Sequence, residues 1–86
     1  MIIGFHKTFD KQLKLISVTQ KKRVTLTLLQ FQQDPLHPSL RNHPLKGTWM
    51  NYRSISAGGD LRLHYRIINE NEVVFVAIGT HSQLYK

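Results

Sequence analysis

The stretch that most limits what this chain can fold into lies near its C-terminus. From Leu61 to Asn69 the residues alternate, with Leu61, Leu63, Tyr65 and Ile67 at odd positions and Arg62, His64 and Arg66 at even ones. A period of two describes a strand with one apolar and one polar face. Glu70-Asn71 then turns the chain into Glu72 to Ile78, where Val73-Val74-Phe75-Val76-Ala77-Ile78 runs without a polar break. Apolar residues on both faces predict a central strand covered on both sides. Upstream, Ala57-Gly58-Gly59-Asp60 reads as a hairpin turn, with a further strand from Thr48 to Ser56 before it.

The odd face of the Leu61 strand needs an apolar cover, and the N-terminal half supplies one. Ile2, Ile3 and Phe5 suggest a short first strand. Thr8 or Asp10 is expected to cap a helix with Phe9, Leu13 and Ile16 inward and Lys7, Lys11 and Lys14 outward. A second helix is predicted from Gln20 to Gln33, with Val24, Leu28 and Phe31 as its apolar stripe and Leu29 widening it. Asp34-Pro35 stops it, because the residue before proline avoids the helical region. Leu36 to Gly47 is read as irregular, Gly79 as the end of the last strand, and Thr80 to Lys86 as a short tail.

The expected order is therefore β-α-α-β-β-β. This is an α+β fold, a single domain over residues 1–86, with a helical hairpin packed on one face of a mostly antiparallel sheet. The even face, carrying Arg62, His64 and Arg66, is left open and basic.

Charge sharpens that point. Twelve Lys and Arg stand against five Asp and Glu, a net +7. This predicts an anionic partner such as nucleic acid or an acidic protein, the alternative being a merely soluble basic surface. The run Lys21-Lys22-Arg23 is read as a solvated helix start rather than a phosphate contact, since cations oppose the positive end of a helix dipole. There is no cysteine, so disulfides and thiolate metal sites are excluded and a reducing, cytoplasmic location is expected. No apolar run approaches the ~20 residues of a membrane span.

Three further segments follow the helices in order. They are His43-Pro44-Leu45-Lys46-Gly47 with Trp49 and Tyr52-Arg53; Gly59-Asp60-Leu61-Arg62-Leu63-His64-Tyr65; and Gly79-Thr80-His81-Ser82-Gln83-Leu84-Tyr85. Together with the hairpin they resemble the YafQ branch of the RelE/ParE toxin superfamily over almost the whole chain. The resemblance implies a RelE-like fold and the toxin of a type II toxin–antitoxin system. It further implies an mRNA interferase, an endoribonuclease that cuts ribosome-bound messenger RNA without metal or other cofactor. The ribose 2′-hydroxyl attacks the adjacent phosphodiester and the 5′-oxygen leaves. The implied partners are messenger RNA, the ribosome and a cognate antitoxin whose acidic segment covers the basic groove, with DNA met only through that antitoxin.

Such chemistry needs a base, an acid and positive charge at the phosphate. His81 matches the C-terminal catalytic histidine of the YafQ motif and is expected to be the general acid; its alternative is a histidine that caps the tail. His43 matches the histidine of the His-Pro-Leu loop, as base or phosphate donor, or else an inert loop residue. Asp60 matches the acid before the strand and would orient a histidine or take the 2′-hydroxyl proton, unless it only shapes the turn. Tyr85 stands where the motif carries an aromatic ring that stacks on a base; burial against the core is its alternative. Arg62 and Lys46 are expected to meet RNA phosphate. Arg53 is read as structural and His64 as a surface histidine. The family carries an acid and a histidine at the positions of Ser54 and Ser56, which here offer RNA only hydroxyl contacts and no base.

A metal site is not expected from the five histidines, since no pair has a ligand spacing such as i, i+4 on a helix. Two other functions fit the scaffold. One is a ParE-like gyrase inhibitor without catalysis, which would break DNA and leave messenger RNA whole. The other is an inactive toxin fold that only binds an antitoxin.

Overall fold

The structure, a computed structural model, describes residues 1–85. It has strands β1 (Ile2–Phe5), β2 (His43–Pro44), β3 (Arg53–Ser56), β4 (Leu61–Asn69) and β5 (Glu72–Thr80), and helices α1 (Lys7–Leu15), α2 (Val18–Gln33) and α3 (His81–Leu84). One sheet takes all five strands in the order β1-β5-β4-β3-β2. Only β1 and β5 run parallel; the other three pairings are antiparallel. The expected α+β architecture is thus present, with one strand and one helix more than the sequence suggested.

The helices begin where their caps allow. His6, not Thr8 or Asp10, caps α1: its Nδ1 accepts from the Thr8 amide at 3.1 Å, and both expected caps fall inside the first turn. α2 starts two residues earlier than predicted because Ser17 and Gln20 form a capping box, each side chain accepting from the other's backbone N–H. Asp34 ends α2 as expected.

Phe9 from α1 and Val24 and Phe31 from α2 press onto Ile55, Leu61, Leu63, Tyr65, Val73, Phe75 and Ile78 of the sheet. Phe75 is the hub, with the rings of Phe5, Phe9, Phe31 and Tyr65 centred 5.2–6.2 Å from it. Leu28 packs only at the margin and Leu29 is exposed, so the α2 stripe is narrower than predicted. Ile67 is also exposed, although its alternation pointed it inward.

The Thr48–Ser56 strand is shortened. Gly47 and Asn51 both take positive φ (65° and 76°), which breaks the extended path and leaves Gly47–Trp49 as a 3-10 turn. The irregular loop, in turn, contributes β2, whose pairing sets His43 opposite Ser54. An edge strand accepts Pro44 because its missing N–H is not needed by a further neighbour.

The β4–β5 ladder slips register between His64 and Tyr65 and again between Ile67 and Asn69. At the first slip Tyr65 pairs with Phe75 but His64 pairs with Ala77, so Val76 is an extra residue on β5. Such a bulge resets the inward and outward alternation. Before it, Val73 and Phe75 face the helices; after it, Ile78 does, and Ala77 and Gly79 turn to the other face. Strand β5 does not end at Gly79 but runs on to Thr80. Within the expected tail His81–Leu84 form α3, and Lys86 lies outside the described residues.

Candidate functional site

The face of the sheet turned away from α1 and α2 carries two transverse rows. His43, Ser54, His64 and Ala77 lie side by side across β2, β3, β4 and β5, and Ser56, Arg62 and Gly79 form the next row. α3 folds back over this face. Gly79 is its seat: a Cβ there would meet Gln83 Oε1 at 3.1 Å and Leu84 Cγ at 3.2 Å. Thr80 caps the turn, its hydroxyl accepting from the Gln83 amide while Gln83 Oε1 accepts from the Thr80 amide at 2.8 Å. The Trp49 indole N–H donates to the Leu84 carbonyl at 3.0 Å and holds the far end.

Between α3, the β3–β4 turn and β2 lies a cavity of about 160 Å³ lined by His43, Ser54, Asp60, Arg62, His81 and Tyr85. Four separate segments of the chain meet there. His43 is exposed, and its Nδ1 donates to the Arg41 carbonyl at 2.7 Å. A carbonyl only accepts, so the proton of a neutral ring sits on Nδ1 and Nε2 keeps its lone pair. His81 is exposed at the first position of α3, its ring centred 4.5 Å from that of Tyr85. Burial pushes the Tyr85 phenol above its ordinary pKa, and the Arg62 guanidinium partly offsets this. The phenol is therefore neutral at pH 7.

Arg62 is half-buried and pinned through one nitrogen, which donates to the Gly59 carbonyl (2.9 Å), the Leu61 carbonyl (3.2 Å) and Ser56 Oγ (3.3 Å). Ser56 also accepts from the Gly58 amide, so it braces the arginine and does not itself line the cavity. Ser54 is buried and lines the cavity. Lys46 is exposed beside the 3-10 turn and lies outside the cavity lining. Asp60 is exposed at the cavity rim, at the end of a turn whose Gly58 and Gly59 take φ of 94° and 55°. Arg53 is bound elsewhere, its Nε donating to Asn42 Oδ1 at 2.9 Å beside the Tyr65 hydroxyl.

All 86 residues match a family described as bacterial toxin of type II toxin–antitoxin system, YafQ. The chain belongs to this family. The mRNA interferase toxin YafQ of Escherichia coli K12 is 29% identical over 87 residues, covering 96% of this chain and 94% of the relative. Among solved structures, the Escherichia coli DinJ–YafQ complex matches with a TM-score of 0.73 at 28% identity, covering 98% of this chain and 97% of the matched one. The metal-bound toxin from Helicobacter pylori matches with a TM-score of 0.71 at 33% identity, covering 99% of each chain.

In this YafQ-family chain, one histidine on the cavity side of the sheet lies elsewhere than its sequence reading puts it. His64 is not on the surface; it is fully buried beneath Trp49 and Tyr85. Burial lowers its pKa to about 4, and the nearby His43 and His81 push it the same way. The even face of β4 is therefore open at Arg62 and Arg66 and closed at His64. Two contributors were missed altogether, Gly79 as the seat of α3 and Trp49 as its clamp. The signal for the first was present: Thr80-x-x-Gln83 is a capping box directly after a glycine. Among the described residues no three His, Asp or Glu side chains form a metal-ligating group.

Proposed function

We propose that this toxin is an endoribonuclease that cuts messenger RNA, on the ribosome, by acid–base chemistry at the cavity around His43 and His81. The observation that carries the reading is the meeting of two accessible imidazoles, a pinned guanidinium and a carboxylate in one cavity from three segments of the chain. The free Nε2 of His43 takes the proton of the ribose 2′-hydroxyl. The 2′-oxygen bonds to phosphorus, the bond from phosphorus to the 5′-oxygen breaks, and protonated His81 supplies a proton to that leaving oxygen. The products are a 2′,3′-cyclic phosphate and a 5′-hydroxyl.

The remaining groups take supporting parts. Arg62, with its position fixed by three acceptors, meets the charge that grows on the phosphate. Asp60 orients His81, Tyr85 stacks on a base, and Ser54 donates a hydrogen bond to the phosphate with Ser56 bracing Arg62. Lys46 holds the RNA backbone outside the cavity. In this reading the acid–base work is done by side chains alone, without a metal. The protein acts as one unit over residues 1–86 in the cytoplasm. An antitoxin with an acidic segment inhibits it by covering the basic face, as the net charge of +7 favours.

Expression of the protein should arrest growth and fragment messenger RNA, and His81→Ala should relieve both. Full toxicity of that variant would remove His81 from the mechanism. Gyrase-dependent DNA breaks with intact messenger RNA would overturn the nuclease reading as a whole.

A further inference from the structure

The most anomalous residue in the molecule is one that the proposed chemistry does not use. His64 is 0% exposed, yet among the described residues neither ring nitrogen has a hydrogen-bond partner. Leaving a donor and an acceptor buried and unsatisfied is costly, and an apolar side chain would fill the same space without that cost. The ring is out of reach of substrate, and it is neutral at pH 7, so it serves as neither acid nor base. Its contacts are the informative part. It meets Trp49 edge to face with centroids 4.5 Å apart at 84°, and Tyr85 with centroids 5.6 Å apart at 61°. Edge-to-face packing places the positive rim of one ring on the negative face of another, a contact an aliphatic chain does not make.

We propose that His64 is a positioning residue for the cavity: its ring, wedged between Trp49 and Tyr85, fixes where the α3 turn presents Tyr85 and His81. The series Trp49, His64, Tyr85, His81 is continuous, because the last two rings are also in contact at 4.5 Å. α3 needs such a wedge. It is a four-residue turn, too short to hold itself, and its other anchors stop at Gly79 and at the Leu84 carbonyl. Neither reaches the Tyr85 ring. His64 does so from the rigid middle of the sheet, directly across from Ser54 on β3 and Ala77 on β5. A neutral ring at this place also puts no charge beside His81, which must itself be protonated to act as an acid. The consequence for cleavage rests on the proposed nuclease function; the structural part does not.

The test separates the two by measuring amide hydrogen exchange in the free toxin alongside RNA cleavage. His64→Leu fills the space without a ring. It should speed exchange of the Gln83 and Tyr85 amides about tenfold or more, leave the β4 and β5 amides protected, and lower kcat by a similar factor with KM little changed. His64→Phe restores the ring without the nitrogens and should return both readouts to near the wild-type value. Wild-type exchange in His64→Leu, or failure of a folded His64→Phe to restore protection, would overturn the proposal. Should His64→Leu not fold, fast exchange confined to α3 in His64→Phe overturns it and retained protection supports it. A wild-type protein that cleaves no RNA would sink the proposed function, and the exchange data would still judge His64.

Discussion

Phe75 and His64 are both fully buried, on adjacent strands of one sheet, and both sit among aromatic rings. Phe75 faces α1 and α2 and packs against the rings of Phe5, Phe9, Phe31 and Tyr65. His64 lies on the opposite face, beneath the cavity's Tyr85, has no partner for either ring nitrogen among the described residues, and sits below residues that are themselves half open to solvent. The contrast assigns different tasks to the two faces. The helix-covered face holds the fold together, while the face under α3 gives up stability to keep titratable and cationic groups close to one another.

Such a division predicts effects that fall on one face and spare the other. Phe75→Ala should cost about 3–5 kcal/mol in urea denaturation, because it empties the centre of the aromatic cluster. A loss below about 1 kcal/mol, the size of an ordinary substitution, would break the division. His81→Ala should lower RNA cleavage about 10²- to 10⁴-fold, the usual contribution of a general acid. Its stability in the same denaturation should stay within about 0.5 kcal/mol of wild type, since the side chain is exposed.

Acid should act through the cavity face. The unfolded chain protonates His64 near pH 6.5 and the folded chain only near pH 4. Between these values the unfolded state binds the extra proton, so stability falls as pH falls, by about 3 kcal/mol over the window. Denaturation curves at pH 7 and pH 4 would measure this, and His64→Phe should remove that share of the loss. The smallest effect belongs to the helix side. Ser17→Ala removes the cap of α2 and should cost about 1 kcal/mol, with cleavage per folded molecule unchanged.

How far the site could be read in advance depended on how local each determinant is. Motif resemblance points to His43, Asp60, Arg62, His81 and Tyr85, and the structure brings all five to one cavity with Ser54. Lys46 and Ser56 fall outside its lining. The burial of His64 was not legible, because in an alternating strand it occupies the same polar face as Arg62. What covers it, Trp49 and Tyr85, comes from 15 residues before and 21 after. Leu29 and Ile67 were misplaced for the same reason. Periodicity says which residues share a face and not how far the partner element extends over it.

The amino-acid sequence by itself determined the local elements: the two helices, the Gly58-Gly59 hairpin, the β4–β5 pair and the basic balance. These follow from short-range spacing, turn chemistry and charge. Tertiary structure alone decided which of the even-face residues meet solvent. The bulge at Val76 turns Gly79 toward the cavity face, Gly79 lets α3 lie down on the sheet, and α3 carries His81 to the cavity and brings Tyr85 over His64 beside Trp49. Each of those steps depends on one residue's register against a distant strand, and no local pattern encodes it.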